Sequence, residues 1–147
     1  MGNVIVTKNL KASRSAVWEV LADYPNIAAW NSGIKHSEAT SDATSGVGAQ
    51  RHCDLSPVGG LEETIREWEP ETRMVISIDE VTTLPIKTGL AAFDLVDGGD
   101  STSVTITYDF EMKGGPIGAA MGPVMKGQLE KGFGGFLDDL EIAAQAV

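Results

Sequence analysis

The feature that most constrains this chain is a change in hydrophobic period at Gly114-Gly115-Pro116. Between Gly33 and Lys113 the pattern has a period of two, which is typical of strands with one dry and one wet face. After Pro116 the apolar residues recur at helical spacing. The sequence therefore predicts an antiparallel sheet followed by one long helix, whose apolar stripe covers the dry face of the sheet.

Seven strands and two short helices are predicted before the long helix. A β-branched run at residues 4–10 indicates the first strand, Ser13 is a typical helix N-cap, and Pro25 ends the helix that follows. PNIAAWN (residues 25–31) predicts a second short helical turn. The other strand-like runs are residues 34–41, 48–55, 61–69, 73–82, 87–96 and 102–113, separated mostly by glycine, proline and aspartate turns.

The long helix carries an apolar stripe and many glycines. About 30 residues would form a rod of roughly 45 Å, and Pro123 interrupts its first part. Interior glycines cost about 0.5–1 kcal/mol each relative to alanine, so two interpretations stay open: close packing or a frayed first turn, and a loose lid with space beneath it. The stripe consists of Met121, Met125, Leu129, Phe133, Leu137 and Leu140, and the glycines are Gly118, Gly122, Gly127, Gly132, Gly134 and Gly135.

Composition restricts the classes of partner and compartment. The 147 residues suit one α+β domain, residues 1–147, with a sizeable core. A net charge of −10 disfavours nucleic acid and anionic membrane surfaces as partners. No apolar run is long enough to span a bilayer, and the first residues do not match a signal peptide. The single cysteine excludes an internal disulfide framework, so a cytoplasmic protein is expected.

Four segments carry a recognisable family pattern: ASRSAVWEVLADYPNIAAWNSGI (residues 12–34), GVGAQRHCDL with GGLEETIREWEP (residues 46–70), LPIKTGLAAFDL (residues 84–95) and KGGPIG (residues 113–118). They resemble the START-like (SRPBCC) superfamily, and most closely its polyketide cyclase/dehydrase and lipid-transport group. The resemblance spans essentially the whole chain and implies a helix-grip fold, in which a seven-stranded curved antiparallel sheet wraps around a long C-terminal helix. Lipid carriers, hormone receptors, aromatase/cyclases, oxygenase domains and co-chaperone modules share this fold, so it selects no single function.

The stretch RHCDLSPVGGLEE (residues 51–63) has the composition of a catalytic cluster, with His52 next to the only cysteine, Cys53. Successive side chains of a strand point to opposite faces, so these two should not meet as a nucleophile–base pair. Cys53 is expected to be a small, partly buried apolar residue. The pattern leaves open which face of residues 48–55 points inward. Neither histidine has the partners of a metal site, so no metal is expected.

One helix cannot completely fill the concave face of a curled sheet, so a cavity is expected between them. Glu63 is the main candidate for chemistry in this cavity. It alternates with apolar neighbours, and the resemblance implies that such a glutamate, followed by Trp68, lines the cavity in several members. In one strand register His52 would line the same wall, whereas a slip of one residue reverses this. Glu63 and His52 are therefore candidate general bases. The alternative is that Glu63 is solvated at an open pocket mouth.

The sequence favours a protein that binds a small hydrophobic or amphipathic molecule, such as a lipid or polyketide-like metabolite, between sheet and helix, with no cofactor. One alternative is an enzyme of polyketide cyclase or dehydratase type, and another is a non-catalytic co-chaperone-like or regulatory module. Monomer and homodimer both stay open. Loops at residues 57–60 and 84–87 are expected to gate the cavity. The expected wall comprises Trp30, His52, Glu63, Ile76, Phe93, Tyr108, Phe110, Met125, Leu129 and Phe133.

Overall fold

The computed structural model describes residues 2–147, and its elements follow the predicted order. One strand is followed by two short helices, then by six strands and finally by two helices. The strands are β1 (Gly2–Leu10), β2 (Ile34–Ala39), β3 (Gln50–Leu55), β4 (Gly60–Glu69), β5 (Arg73–Val81), β6 (Ile86–Asp97) and β7 (Thr102–Met112). The helices are α1 (Arg14–Ala22), a 3-10 helix (Tyr24–Ala29), α2 (Gly115–Ala120) and α3 (Gly122–Gln145).

The strands form one antiparallel sheet in the order β1-β7-β6-β5-β4-β3-β2, which confirms the predicted seven-stranded α+β architecture. β7 shows the predicted alternation, with Val104, Ile106, Tyr108 and Phe110 buried on its inner face. Register shifts interrupt the β2–β3, β4–β5 and β6–β7 pairs. Such bulges bend a strand and increase its twist. The sheet therefore curls around the helix that covers it.

The first helix begins and ends as its sequence predicts. The Ser13 hydroxyl oxygen accepts a hydrogen bond from the Ala16 N–H at 3.2 Å, and α1 stops two residues before the Tyr24-Pro25 pair. The N-cap oxygen satisfies one of the free N–H groups of the first turn. Trp18 of α1 then packs edge-on against Trp68 of β4, with ring centroids 5.1 Å apart. This contact fixes α1 against the inner face of the sheet.

The long C-terminal rod is shorter than predicted. It is divided at Met121 into α2 and α3, and the 24 residues of α3 span about 36 Å. The physical reason is Pro123, which has no N–H to donate to the fourth residue before it and therefore lies in the first turn of α3. The predicted single rod of roughly 45 Å is wrong, although the apolar stripe continues along α3.

The two halves of α3 are held very differently. In the second half Leu137, Leu140 and Ala144 are buried, and charged contacts tie the helix to the end of β1. Glu141 accepts hydrogen bonds from the Lys8 ammonium at 3.1 Å and from the Lys11 backbone N–H at 2.8 Å. In the first half Met125 is the only buried residue of those that the structure describes. The second half therefore anchors the helix, and the first half lies over the sheet with little support.

The glycines of α3 are not explained by close packing. A Cβ atom built on any of them would meet no other atom within 4 Å. Of the two interpretations that the sequence left open, close approach of a neighbouring backbone is therefore wrong for these positions. It holds only in α2, where a Cβ on Gly118 would collide with the Lys113 carbonyl. The α3 glycines are Gly122, Gly127, Gly132, Gly134 and Gly135.

Candidate functional site

A cavity of about 350 Å³ lies between the inner face of the sheet and the first half of α3. Inward side chains of β3 to β7 form its floor, and Met125, Leu129, Phe133 and Phe136 of α3 form its roof. The geometry follows from the fold, since one helix of about 10 Å diameter does not fill a strongly curved sheet. The other apolar lining residues are Ile27, Ile34, Leu55, Leu61, Ile76, Ile78, Val81, Leu84, Ile86, Ala91 and Phe93.

Aromatic rings cover much of the cavity surface. The rings of Tyr108 and Phe133 pack at a tilt with centroids 5.3 Å apart, and those of Phe93 and Phe136 pack at a smaller tilt with centroids 5.4 Å apart. All four residues line the cavity. Burial raises the pKa of the Tyr108 hydroxyl well above its ordinary value, so this group is an uncharged hydrogen-bonding group. Flat aromatic walls of this kind favour flat apolar ligands.

The polar part of the cavity is built around a buried ion pair. Arg51 of β3 and Glu63 of β4 are cross-strand partners, and Arg51 Nε donates to Glu63 Oε1 at 2.9 Å. Both residues line the cavity and are only 5% and 7% exposed. Arg51 Nη1 also donates to the Tyr24 carbonyl at 2.8 Å, and the guanidinium lies 3.9 Å from the centre of the Tyr24 ring. These contacts hold both charges in one orientation.

The ion pair keeps Arg51 charged in spite of its burial. Desolvation lowers the pKa of this guanidinium, but Glu63 and, less strongly, Tyr24 and Cys53 act in the opposite direction, so that the pKa of Arg51 is raised. Because the positive charge of Arg51 compensates the negative charge of Glu63, the cavity wall is neutral as a whole.

Cys53 lies behind this ion pair and has no features of a nucleophile. Its Sγ is 3.5 Å from Glu63 Oε1, and the residue is fully buried. Burial, and then the neighbouring carboxylate, raises the pKa of the thiol to about 12. The reactive thiolate is therefore almost absent near neutral pH. His52 points to the opposite face, as strand alternation predicts, so the Cys–His pair does not form.

The predicted position of His52 in the cavity wall is wrong. Its ring nitrogens contact the Glu62 carboxylate and, at 2.8 Å, Asp54 Oδ1, both on the outer face of the sheet. These two contacts raise the pKa of His52, that with Glu62 most strongly. The cause is the register, which pairs Arg51 with Glu63 and His52 with Glu62. The inner face of β3 is therefore the one that carries the arginine.

Trp30 and Phe110 support the cavity wall instead of lining it. Trp30 packs edge-on against Phe136 at 5.1 Å beside a second pocket of only about 10 Å³. Phe110 is 1% exposed and stacks against the ring of Tyr108 at 5.6 Å, away from the cavity. The predicted residues that do line the cavity are Glu63, Ile76, Phe93, Tyr108, Met125, Leu129 and Phe133.

Three polar lining residues escaped the sequence analysis: Asn31, Arg51 and Gln128. Arg51 had a detectable signal, because it shares a strand face with two apolar residues and faces an inward glutamate across a short loop. Asn31 and Gln128 had none. Asn31 follows the 3-10 helix, where no periodicity applies, and Gln128 lies on an exposed helix edge.

The cavity opens between α3 and the segment before β2. The lining residues that are exposed to solvent are Gly33, Gln128 and Gly132. The two loops predicted to gate the cavity contact each other, and the first also contacts the start of β2, where the Lys35 ammonium donates to the Pro57 carbonyl at 3.3 Å. The Gly60 N–H donates to the Thr82 hydroxyl at 2.8 Å, and the Thr83 hydroxyl donates to the Val58 carbonyl at 3.4 Å. Leu84 and Ile86 of the second loop contribute to the lining, and the gating role of the two loops stays a prediction.

The profile of the family described as polyketide cyclase/dehydrase and lipid transport matches residues 1–145. The chain belongs to this family. The match confirms the resemblance that the sequence motifs indicated. No curated protein sequence matches the chain.

Solved structures show how widely this family member shares its fold. A START superfamily protein from Mycobacterium smegmatis superposes with a TM-score of 0.82 at 18% identity, over 99% of each chain. The protein TTHA0849 from Thermus thermophilus gives a TM-score of 0.81 at 15% identity, over 98% of this chain and 97% of its own. ZhuI aromatase/cyclase from Streptomyces sp. R1128 gives 0.79 at 15% identity, over 97% and 93%. At these identities the likeness concerns the fold alone.

Two further observations delimit the site in this polyketide cyclase/dehydrase and lipid transport family member. Across residues 2–147, no group of three or more histidine, cysteine, aspartate or glutamate residues is arranged to hold a metal ion. In the same part of the chain, no helix is long and apolar enough to cross a membrane.

Proposed function

We propose that this protein binds one small, mainly apolar molecule in the cavity between the sheet and α3. The observation that carries the proposal is a 350 Å³ cavity whose lining is almost entirely apolar and contains one compensated ion pair. Ligand sites in proteins typically combine apolar walls with a few fixed polar groups that set orientation. The volume lies near the lower end of the usual range of about 300–1,000 Å³. It therefore suits a compact metabolite better than a lipid with two long chains.

Cyclase or dehydratase chemistry in the same cavity is the second candidate. It is supported by Glu63 and the Tyr108 hydroxyl, which face one cavity and would serve as proton acceptor and donor. Glu63 Oε1 already accepts a hydrogen bond from Arg51, so Oε2 would be the accepting atom. A carboxylate held in this way is positioned for binding as well as for chemistry. Ligand binding alone therefore requires fewer assumptions than a catalysed reaction in the same cavity.

Binding is tested with an uncharged fluorescent probe, N-phenyl-1-naphthylamine, and two variants of α3. Leu129→Trp places a large side chain in the cavity roof, whereas Val124→Trp adds the same side chain at a position that is 57% exposed. Leu129→Trp is expected to weaken probe binding at least about tenfold, corresponding to about 1.4 kcal/mol. Val124→Trp should bind the probe like the wild type.

Native mass spectrometry of freshly purified protein provides the complementary measurement, because a tightly held ligand would add its mass to the chain. Failure of the wild type to bind the probe, or equal binding by Leu129→Trp, would overturn the proposal. Turnover of a polyketide substrate that is lost in Glu63→Gln would instead establish the enzymatic alternative.

A further inference from the structure

The buried ion pair has hydrogen-bonding capacity that the protein itself does not use. Arg51 uses Nε for Glu63 and Nη1 for the Tyr24 carbonyl. Glu63 uses Oε1 for Arg51 and for the contact with the Cys53 thiol. Within residues 2–147, Arg51 Nη2 and Glu63 Oε2 have no hydrogen-bond partner. Both side chains are more than nine-tenths buried and line the cavity, so a donor and an acceptor are available to a ligand.

The charges around this position sum to zero. Among the described residues that line the cavity, Arg51 and Glu63 are the only ones with a charged side chain at neutral pH. Asn31, Gln128 and the Tyr108 hydroxyl add polar groups without charge. Asn31 Oδ1 already accepts from the Gly33 N–H at 2.9 Å. The remaining surface is apolar and gives no solvation to an ion.

A charged ligand would therefore be disfavoured whatever its sign. A carboxylate that approaches Arg51 meets a cation already neutralised by Glu63, and it adds an uncompensated negative charge to a mostly apolar site. An ammonium group meets the same difficulty at Glu63, where Arg51 repels it. An uncharged group that both donates and accepts hydrogen bonds can satisfy Arg51 Nη2 and Glu63 Oε2 together without adding a charge.

We propose that the Arg51–Glu63 pair makes the cavity selective for uncharged ligands that carry both a donor and an acceptor, such as a carboxamide or a hydroxyl beside a carbonyl. Carboxylates and ammonium groups of the same shape are rejected. This inference rests on the proposed function, since it concerns the chemical class of the ligand held in the same cavity. It names Glu63 as the residue that determines charge specificity.

The test uses four naphthalene probes, whose flat rings suit the aromatic walls formed by Phe93, Tyr108, Phe133 and Phe136. Naphthalene reports apolar binding alone. 2-Naphthamide carries an uncharged donor and acceptor, 2-naphthoate has nearly the same shape with a negative charge, and 2-naphthylmethylammonium is positive. With wild-type protein, titration calorimetry should show 2-naphthamide binding at least about tenfold more tightly than either ion.

Glu63→Gln then tests the role of Glu63 in charge selectivity, because it removes the negative charge and leaves the positive charge of Arg51 uncompensated. The preference for 2-naphthamide over 2-naphthoate should fall at least about tenfold in this variant. Glu62→Gln is the matched control, since the adjacent glutamate contacts His52 on the outer face of the sheet. It should keep the wild-type preference.

The outcomes separate this inference from the proposed function. If naphthalene binds, and 2-naphthamide and 2-naphthoate bind with equal affinity, charge selectivity is overturned and the apolar site stands. An unchanged preference in folded Glu63→Gln would overturn the role of Glu63. Failure of every probe, including naphthalene, would overturn the proposed function and this inference with it. If Glu63→Gln does not fold, the wild-type comparison of the amide with the two ions decides the question.

Discussion

The ring of Tyr108 lies directly over the backbone of Gly89 on the neighbouring strand. A Cβ atom at Gly89 would collide with the hydroxyl and the ring of Tyr108. The two residues are diagonal neighbours, because Gly89 pairs with Phe110 and Tyr108 pairs with Ala91. The missing side chain therefore provides the space that Tyr108 occupies in the cavity floor.

Gly89→Ala is accordingly expected to destabilise the protein. The added methyl group must displace Tyr108 or the strand, and overpacking of this kind typically costs about 1–3 kcal/mol. Urea-induced unfolding measures the change in the free energy of unfolding. Gly127→Ala is the control, because a Cβ at that position meets no atom within 4 Å. An unchanged stability of Gly89→Ala would contradict the observed arrangement.

Comparing Gly132→Ala with Gly127→Ala should distinguish the effect of these glycines on the stability of α3 from their effect on ligand access to the cavity. Both replace a glycine of α3 whose Cβ position is empty, so each should stabilise the helix by about 0.5–1 kcal/mol. Only Gly132 lines the cavity, at its solvent-exposed mouth. Gly132→Ala should therefore also slow the association of an apolar fluorescent probe, as measured by stopped-flow fluorescence. Equal association rates in the two variants would show that the mouth lies elsewhere.

Arg51→Met is expected to be strongly destabilising. It leaves the carboxylate of Glu63 buried without its partner, and breaking a buried ion pair in this way typically costs about 3–5 kcal/mol. Replacing both residues by methionine removes the stranded charge and should restore much of that loss. Arg66→Met is the control, since its partner Asp79 is 3.5 Å away at the surface, and such pairs contribute about 1 kcal/mol or less. Guanidinium unfolding of the variants checks the order, and equal effects of Arg51→Met and Arg66→Met would contradict it.

The contacts of His52 with Glu62 and Asp54 predict a pH-dependent contribution to stability. The pKa of His52 is raised above its ordinary value of 6.5, so its contribution is complete below that pH and is lost as the pH rises through the raised pKa. The pKa of Asp54 is lowered from 3.8, mainly by the hydrogen bond with His52, so its contribution is lost as the pH falls through the lowered pKa. The difference in the free energy of unfolding between wild type and His52→Gln should therefore be largest between pH 3.8 and pH 6.5, the ordinary pKa values of the two groups. It should shrink in alkaline solution.

Urea unfolding of both proteins across this pH range measures the difference. A difference between wild type and His52→Gln that grows with pH would contradict the assigned contacts.

Local patterns predicted most of the fold. The alternation along β7, the Ser13 cap and the turn residues each depend on near neighbours in sequence, so they could be assigned without knowledge of the partner strands. The division at Met121 was harder to place. Pro123 marks an interruption, but a proline is compatible with the first turn of a helix as well as with a kink.

The site was less predictable because it depends on strand register. Glu63 could be assigned to the inner face, since its neighbours in β4 separate into an apolar and a polar set. β3 separates less clearly, since the face with the apolar residues Cys53 and Leu55 also carries the charged Arg51. Only the pairing of Arg51 with Glu63 determines which face is buried. A charged residue is favourable on the inner face only beside a partner of opposite charge. The pattern of a single strand does not show which residue that partner is.

The pairing of β1 with β7 also has a consequence for how the protein is made. These strands pair from Gly2 opposite Phe110 to Leu10 opposite Thr102, although the five other strands lie between them in sequence. A ribosome must therefore synthesise β7 before β1 can join the sheet, and α3 comes later still. Contacts between such distant residues slow folding and prolong the exposure of apolar surface. A translational pause before β7 would leave a nascent chain with an uncovered apolar sheet face, which is the surface that a chaperone would have to shield.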